Sequence, residues 1–261
     1  MSRPEIEITQ LCRFPIKGLS AESLNTLDLI AGQGIPGDRL FGFARYNSGL
    51  DPAHPQPLPK DHFVVLLKEA ALAGLQTRFE PTTQILEITT QGATTKFAMN
   101  APDQRIAAAR FLHDTLNLSD PEPPVFVSSA PHRFTDVSVV SPQMMNAISV
   151  LNLASVREME KRIGADIHPA RFRANLVIDG LPPFAELDAV GSLLSFGEVS
   201  LRILSRTKRC AATEVNPITA ERDLKIPYLL RKHLAHTDMG IYVEVANGGT
   251  LSVGQSGHSS V

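Results

Sequence analysis

Polar and apolar residues alternate along Ile6-Glu7-Ile8-Thr9-Gln10-Leu11, the period-two pattern of a strand with one buried face. Pro15 and Gly18 then turn the chain, and a less regular alternation over residues 24–29 runs into Gly32, Gly34 and Gly37. Glycines so placed suit sharp turns or close approach of backbone to ligand. Three hairpins are predicted: residues 86–90 with 94–98, 193–196 with 199–204, and 242–245 with 251–253 around Asn247-Gly248-Gly249. Residues 176–178 add a short apolar strand. Helical spacing is rarer; it is predicted over 66–75, 104–116 and, most clearly, 151–163. In the last, Leu153, Val156, Met159 and Ile163 share one face, Arg157, Glu158, Glu160 and Lys161 the other, and Gly164 is placed to cap the end.

This inventory predicts a predominantly β, α+β fold around a closed or partly closed barrel with peripheral helices. It lacks the regular strand–helix alternation of a dinucleotide-binding sheet. Prolines cluster at 52–59, read as an exposed loop, and at 121–124. The second cluster sets the expected division: a β-rich N-terminal domain at 1–122 and a second domain at 123–261. A proline-rich loop inside one compact fold is the alternative.

Composition narrows the function classes. The 261 residues are 43% hydrophobic and 20% charged with a formal charge of -2, which fits a folded protein and carries no nucleic-acid signal. A local basic pocket for a small anion is untouched by that number. No apolar leader follows Met1 and no apolar run of about 18 residues occurs, so a reduced, cytoplasmic protein without a membrane span is expected. The two cysteines, Cys12 and Cys210, are too few for a four-cysteine zinc site or a cysteine-held iron–sulfur cluster. The eight histidines form no zinc pattern. Any metal would take most of its ligands from a cofactor.

Cys210 is the residue that asks for a role. It closes Lys208-Arg209-Cys210 at the end of a predicted strand, and fixed cations beside a thiol favour the thiolate, a soft ligand or a nucleophile. A second cluster is Arg171-Phe172-Arg173-Ala174-Asn175. If extended, it puts Arg171, Arg173 and Asn175 on one face, to hold a phosphate or to neutralise Glu186 and Asp188. Lys17 between Pro15 and Gly18, and Arg39 after Gly37-Asp38, are single cations beside turns, ordinarily surface charges. Asp136 follows a polar loop, where an aspartate usually caps a helix or faces solvent. No Gly-x-Ser-x-Gly elbow is present, and a cysteine-protease arrangement would leave both basic clusters without a purpose.

Taken in order, these motifs resemble the MOSC family, named for the molybdenum cofactor sulfurase C-terminal domain. They are Arg171-Phe172-Arg173-Ala174-Asn175, Pro183-Phe184-Ala185-Glu186, Arg209-Cys210-Ala211-Ala212-Thr213, Asn216-Pro217 and Gly240-Ile241-Tyr242 leading to Gly254. Phe14-Pro15-Ile16-Lys17-Gly18 and Gly37-Asp38-Arg39 extend the likeness to the group with an N-terminal β-barrel-like region, which includes amidoxime-reducing components. The resemblance implies a mononuclear molybdenum cofactor (Mo-molybdopterin) with Cys210 as protein ligand to the metal and as catalytic residue. Lys17, Arg39, Arg173, Asn175 and Arg209 would hold its phosphate and pterin, with Arg171, Lys208 and Asp136 in support. It further implies reduction of small N-hydroxylated or N-oxide substrates, fed by a separate electron-donor protein. A non-redox cofactor carrier and a cysteine-persulfide sulfur transferase are the alternatives. Gly18 and Lys208 stand where better-characterised reductases present serines, and Ala174 replaces a common proline.

Overall fold

A computed structural model describes residues 5–51, 53–54, 56–130 and 132–260. Pro52 and Pro55 of the predicted proline-rich loop, and the residues directly after Met1, lie outside the described residues. Seven strands close into a barrel in the order Leu176–Asp179, Ile148–Asn152, Asp238–Asn247, Val199–Lys208, Leu193–Phe196, Ser256–Ser259 and Glu5–Arg13. The last pairs back onto the first, Ile8 opposite Ile178 and Leu11 opposite Leu176. Inward residues from successive strands, among them Ile8, Leu194, Phe196, Leu201, Ile241 and Val243, form one fully buried cluster. Closure removes the free edges that an open sheet of these strands would expose. The predominantly β, α+β class read from the sequence is the class observed.

Strand pairing does not follow the 122/123 division. Glu5–Arg13 is a stave of the barrel although it opens the chain. Conversely Val125–Ser128, beyond the second proline cluster, pairs with Phe41–Ala44. A separate three-stranded sheet, Gln76–Glu80, Ile85–Thr90 and Ala93–Ala98, packs with the helix Pro102–Leu116 around Leu86, Ile88, Met99 and Leu112. Each such side chain removed from water contributes roughly 1.5–3 kcal/mol.

Two of the three predicted hairpins form as expected, at 85–98 and 193–208. The third does not. Asp238–Asn247 is already bonded on both edges, to Val199–Lys208 and Ile148–Asn152, so Gly249–Ser252 pairs with Thr26–Leu29 instead. The helix expected over 66–75 shrinks to one 3-10 turn, Ala70–Gly74. The clearest helix, Leu153–Ile163, is present and starts two residues late because Leu151 and Asn152 still belong to a strand. Asn152 caps it, its side chain accepting from the Ala154 amide at 3.1 Å, and Met159 is buried as predicted.

Gly240 couples the central strand pair of the barrel to Arg209. Its φ is +75°, and a Cβ there would stand 2.4 Å from the Val150 carbonyl oxygen and 3.2 Å from Arg209 Nη2. Gly240→Ala must therefore open that strand pair or displace Arg209. It is expected to lower the urea unfolding free energy by at least about 2 kcal/mol, and an unchanged urea midpoint would contradict this packing. Among the described residues no helix is long and apolar enough to cross a membrane.

Candidate functional site

At one end of the barrel lies a cavity of about 430 Å³. All nine residues nominated from the sequence border it: Lys17, Arg39, Asp136, Arg171, Arg173, Asn175, Lys208, Arg209 and Cys210. Its wall holds eight lysines and arginines against one carboxylate, Asp136, so the net charge of -2 for the whole chain conceals a strongly cationic pocket. Such a wall favours an anionic occupant.

The strand Val199–Lys208 delivers Cys210. It ends at Lys208, which is exposed, and the Arg209 amide is held by the Thr237 carbonyl at 2.9 Å. Cys210 then opens the 3-10 turn Ala211–Glu214, and both the amide and the hydroxyl of Thr213 donate to its carbonyl, at 3.0 and 2.9 Å. Both cysteines are free; Cys12 is buried and Cys210 partly accessible. Burial first, against a hydrogen bond from Gln10, pushes the Cys12 thiol up, which keeps it a neutral packing residue.

The arginine-rich motif is not extended. His168 Nδ1 accepts from the Ala170 amide at 3.1 Å, Pro169–Phe172 forms a 3-10 turn, and Arg173 sits at φ +48°. The three side chains therefore diverge. Arg171 turns inward, donating twice to Asp223 at 2.6 and 2.8 Å and to the Glu214 carbonyl at 2.9 Å, so it braces the turn after Cys210. Arg173 and Arg39 lie over the Phe14 ring, at 4.3 and 4.5 Å from its centroid. Asn175 is a hub: its amide nitrogen donates to the Cys12 carbonyl and Asp38 Oδ1, while its oxygen accepts from the Ser149 hydroxyl at 2.8 Å and Arg39 Nη1 at 3.2 Å. Both ends of its amide are engaged inside the protein, which makes it an organiser of Arg39. Glu186 and Asp188 take other partners: Asn152 and Ser155 hold the first, Arg206 the second.

Lys17 is the largest departure from an expected surface charge. It is 3% exposed and donates to the Phe134 carbonyl at 2.8 Å and to Asp136 Oδ1 at 2.6 Å. Gly18 beside it has φ +87°, and a Cβ would stand 2.3 Å from the Val64 carbonyl oxygen. A serine cannot enter here without moving the backbone at Val64, which accounts for one departure from the family pattern. Burial pulls the Lys17 ammonium down from its ordinary range even against the Asp136 charge. Asp136 is neither a cap nor merely solvated. Burial opposes its charge, but Lys17 and Lys60 hold its carboxyl well below the usual range. Burial also lowers Arg173 and Arg209 to about 10, which leaves both charged at neutral pH.

Sequence reasoning missed several wall residues. Lys60 Nζ lies 3.2 Å from Cys210 Sγ and 3.4 Å from Asp136 Oδ2. Thr207 Oγ1 and Arg209 Nη2 are buried polar atoms without a hydrogen-bond partner, and Tyr242 faces the same cavity. Only Tyr242 had a sequence signal, in Gly240-Ile241-Tyr242; a lone lysine after a proline-rich loop gives none. Leu66, Leu67, Val137, Val140 and Met144 add apolar lining to the cavity. Among the described residues no group of three or more His, Cys, Asp or Glu side chains is placed to hold a metal ion.

The profile of the MOSC domain matches residues 131–256. The chain is 33% identical to molybdenum cofactor sulfurase of Caenorhabditis briggsae over 102 residues, 38% of this chain and 14% of that protein. It is 28% identical to human mitochondrial amidoxime-reducing component 1 over 140 residues, 48% of this chain and 41% of that protein. In both cases the match spans well under half of the relative. Among solved structures, the YUAD protein from Bacillus subtilis aligns over 99% of this chain and 97% of its own, with 16% identity and a TM-score of 0.45. Residues 131–256 of the chain thus carry the MOSC-domain match.

Proposed function

We propose that this protein is a molybdenum-cofactor oxidoreductase that reduces N-hydroxylated compounds or related N-oxides. One observation carries the reading: eight cations and a single carboxylate line a cavity that reaches a partly accessible cysteine. The residues fit a phosphorylated pterin bearing molybdenum. Arg209 Nη2 and Thr207 Oγ1 are buried groups still lacking an acceptor or donor, the kind of deficit a polar ligand corrects. Cys210 offers one soft thiolate suited to the metal, and the remaining ligands would come with the cofactor.

On this reading Lys17, Arg39, Arg173 and Arg209 hold the phosphate and pterin, and Lys208 adds charge at the exposed rim. Asn175 orients Arg39, Arg171 braces the Cys210 turn, and Asp136 balances Lys17 and Lys60. When bound, the cofactor supplies two-electron chemistry that, with two protons, cleaves an N–O bond and releases the oxygen as water. The protein positions the substrate beside Cys210 and shields it with the apolar side of the cavity. Electrons reach it from a separate donor protein. Similarity to an amidoxime-reducing component supports the substrate class, and similarity to a molybdenum cofactor sulfurase supports the cofactor.

Protein purified from a molybdenum-replete host is expected to carry near-stoichiometric molybdenum and a releasable pterin. With a reduced artificial donor it should turn over an N-hydroxylated substrate. Loss of both metal and pterin after validated loading would sink the proposal. Loaded protein that hands on intact cofactor without turnover would identify a carrier, and a persulfide on Cys210 with no metal requirement a sulfur transferase.

A further inference from the structure

The end of the proline-rich loop delivers a charge to the centre of the cavity. Pro59 precedes the 3-10 turn Lys60–His62, and this turn is tied down on both sides. The Phe63 amide donates to the Lys60 carbonyl at 3.2 Å, the Arg45 amide to the His62 carbonyl at 2.8 Å, and His62 Nδ1 lies 2.7 Å from the Ser48 carbonyl oxygen. From this fixed base the Lys60 side chain, 30% exposed, reaches both Cys210 Sγ and Asp136 Oδ2. An ammonium has three N–H groups, so two such contacts leave one for another acceptor. Lys17, by contrast, is buried against a carbonyl and a carboxylate, and Asn175 and Arg171 are engaged within the protein.

The same cavity is lined by Leu66, Leu67, Val137, Val140 and Met144, with Val140 67% exposed. A molecule approaching Cys210 thus meets apolar lining as well as a spare ammonium N–H. We propose that Lys60 is a specificity-determining residue that, with this apolar wall, orients compact apolar substrates by a negatively polarised oxygen held beside Cys210. The inference rests on the reading of Cys210 as the reacting centre and adds a substrate preference to it. Aryl or alkyl N-oxides and hydroxamate anions are favoured over neutral oximes or cationic amines of the same shape.

The test compares benzoate with benzamide, two non-reducible molecules of one shape that differ in charge, by titration calorimetry on the cofactor-loaded protein. Wild type is expected to prefer benzoate. Lys60→Gln should cut that preference about 10-fold, the order lost with a charge-assisted hydrogen bond, whereas Lys60→Arg should keep it. Molybdenum and pterin contents should match wild type in both variants, and kcat/KM for an aryl N-oxide should fall about 10-fold in Lys60→Gln. Val140→Ser should weaken both probes equally. An unaltered preference in Lys60→Gln overturns the proposal. So does loss of cofactor in that variant, which would place Lys60 in the cofactor's binding shell. If wild type never loads molybdenum, the functional reading fails separately, and the benzoate comparison on the metal-free protein still decides the role of Lys60.

Discussion

Cys210→Ala is expected to abolish turnover, a loss of more than about 100-fold, while the fold persists and most of the pterin stays bound. Removing merely an outer partner of a metal ligand costs 10–100-fold, so deleting the cavity thiol proposed as the metal ligand should exceed that. The cations that would hold phosphate and pterin, Lys17, Arg39, Arg173 and Arg209, are untouched by the change. Stability should change by less than about 0.5 kcal/mol, as for substitutions away from packed sites. The turn at Cys210 is fastened through its carbonyl, which alanine keeps, and the Sγ contact is with Lys60. The decisive measurements are molybdenum by mass spectrometry, pterin by fluorescence after release, and turnover on one preparation. Wild-type turnover in Cys210→Ala would remove the thiolate from the chemistry; loss of pterin together with unfolding would assign Cys210 a structural part.

Much of the barrel was legible because its strands carry local signals. Ile6 and Ile8 alternate with acidic residues, and Gly197 marks a two-residue turn between Phe196 and Val199. Pairing partners were less legible. Nothing in Glu5–Arg13 announces that it closes a barrel whose other staves begin more than 140 residues later, because closure is decided by which edges remain unpaired. The false hairpin around Gly248 has the same origin: the strand before it was already bonded on both sides, and of Asn247, Gly248 and Gly249 only Gly249 takes a positive φ. At the site, residue types were readable and geometry was not. Lys17 and Arg39 look like surface cations until the fold buries one and stacks the other over Phe14. Arg171, Arg173 and Asn175 belong to one cavity, yet the turn at Pro169 and the positive φ of Arg173 send them to three tasks. Lys60 left no trace because its role depends wholly on a contact 150 residues away.

Asp136→Asn is expected to destabilise the protein by about 3 kcal/mol, because it strips the counter-charge from a buried ammonium. Breaking a buried pair from one side costs 3–5 kcal/mol. The lower end applies because the Asp136 side chain is 48% exposed and water screens part of the interaction. Lys17 is left with the Phe134 carbonyl and the Phe63 ring, whose centroid lies 5.6 Å from Nζ. Neither replaces a negative charge. Removing the ammonium as well, in Lys17→Met with Asp136→Asn, should restore much of the loss, since a neutral buried pair has no charge to compensate. The same site sets a pH dependence. The Asp136 carboxyl is held below its unfolded value, so the unfolded chain takes up the proton first as pH falls. The stabilising contribution is complete above the unfolded carboxylate pKa of about 4, and it shrinks as pH drops below that towards the folded value. Urea unfolding of wild type, both single variants and the double variant at pH 7 and pH 3 tests all of this. The gap between wild type and Asp136→Asn should narrow at the lower pH. A gap under about 1 kcal/mol at pH 7, or a double variant no more stable than Asp136→Asn alone, would mean that Lys17 does not depend on Asp136 for its place in the cavity wall.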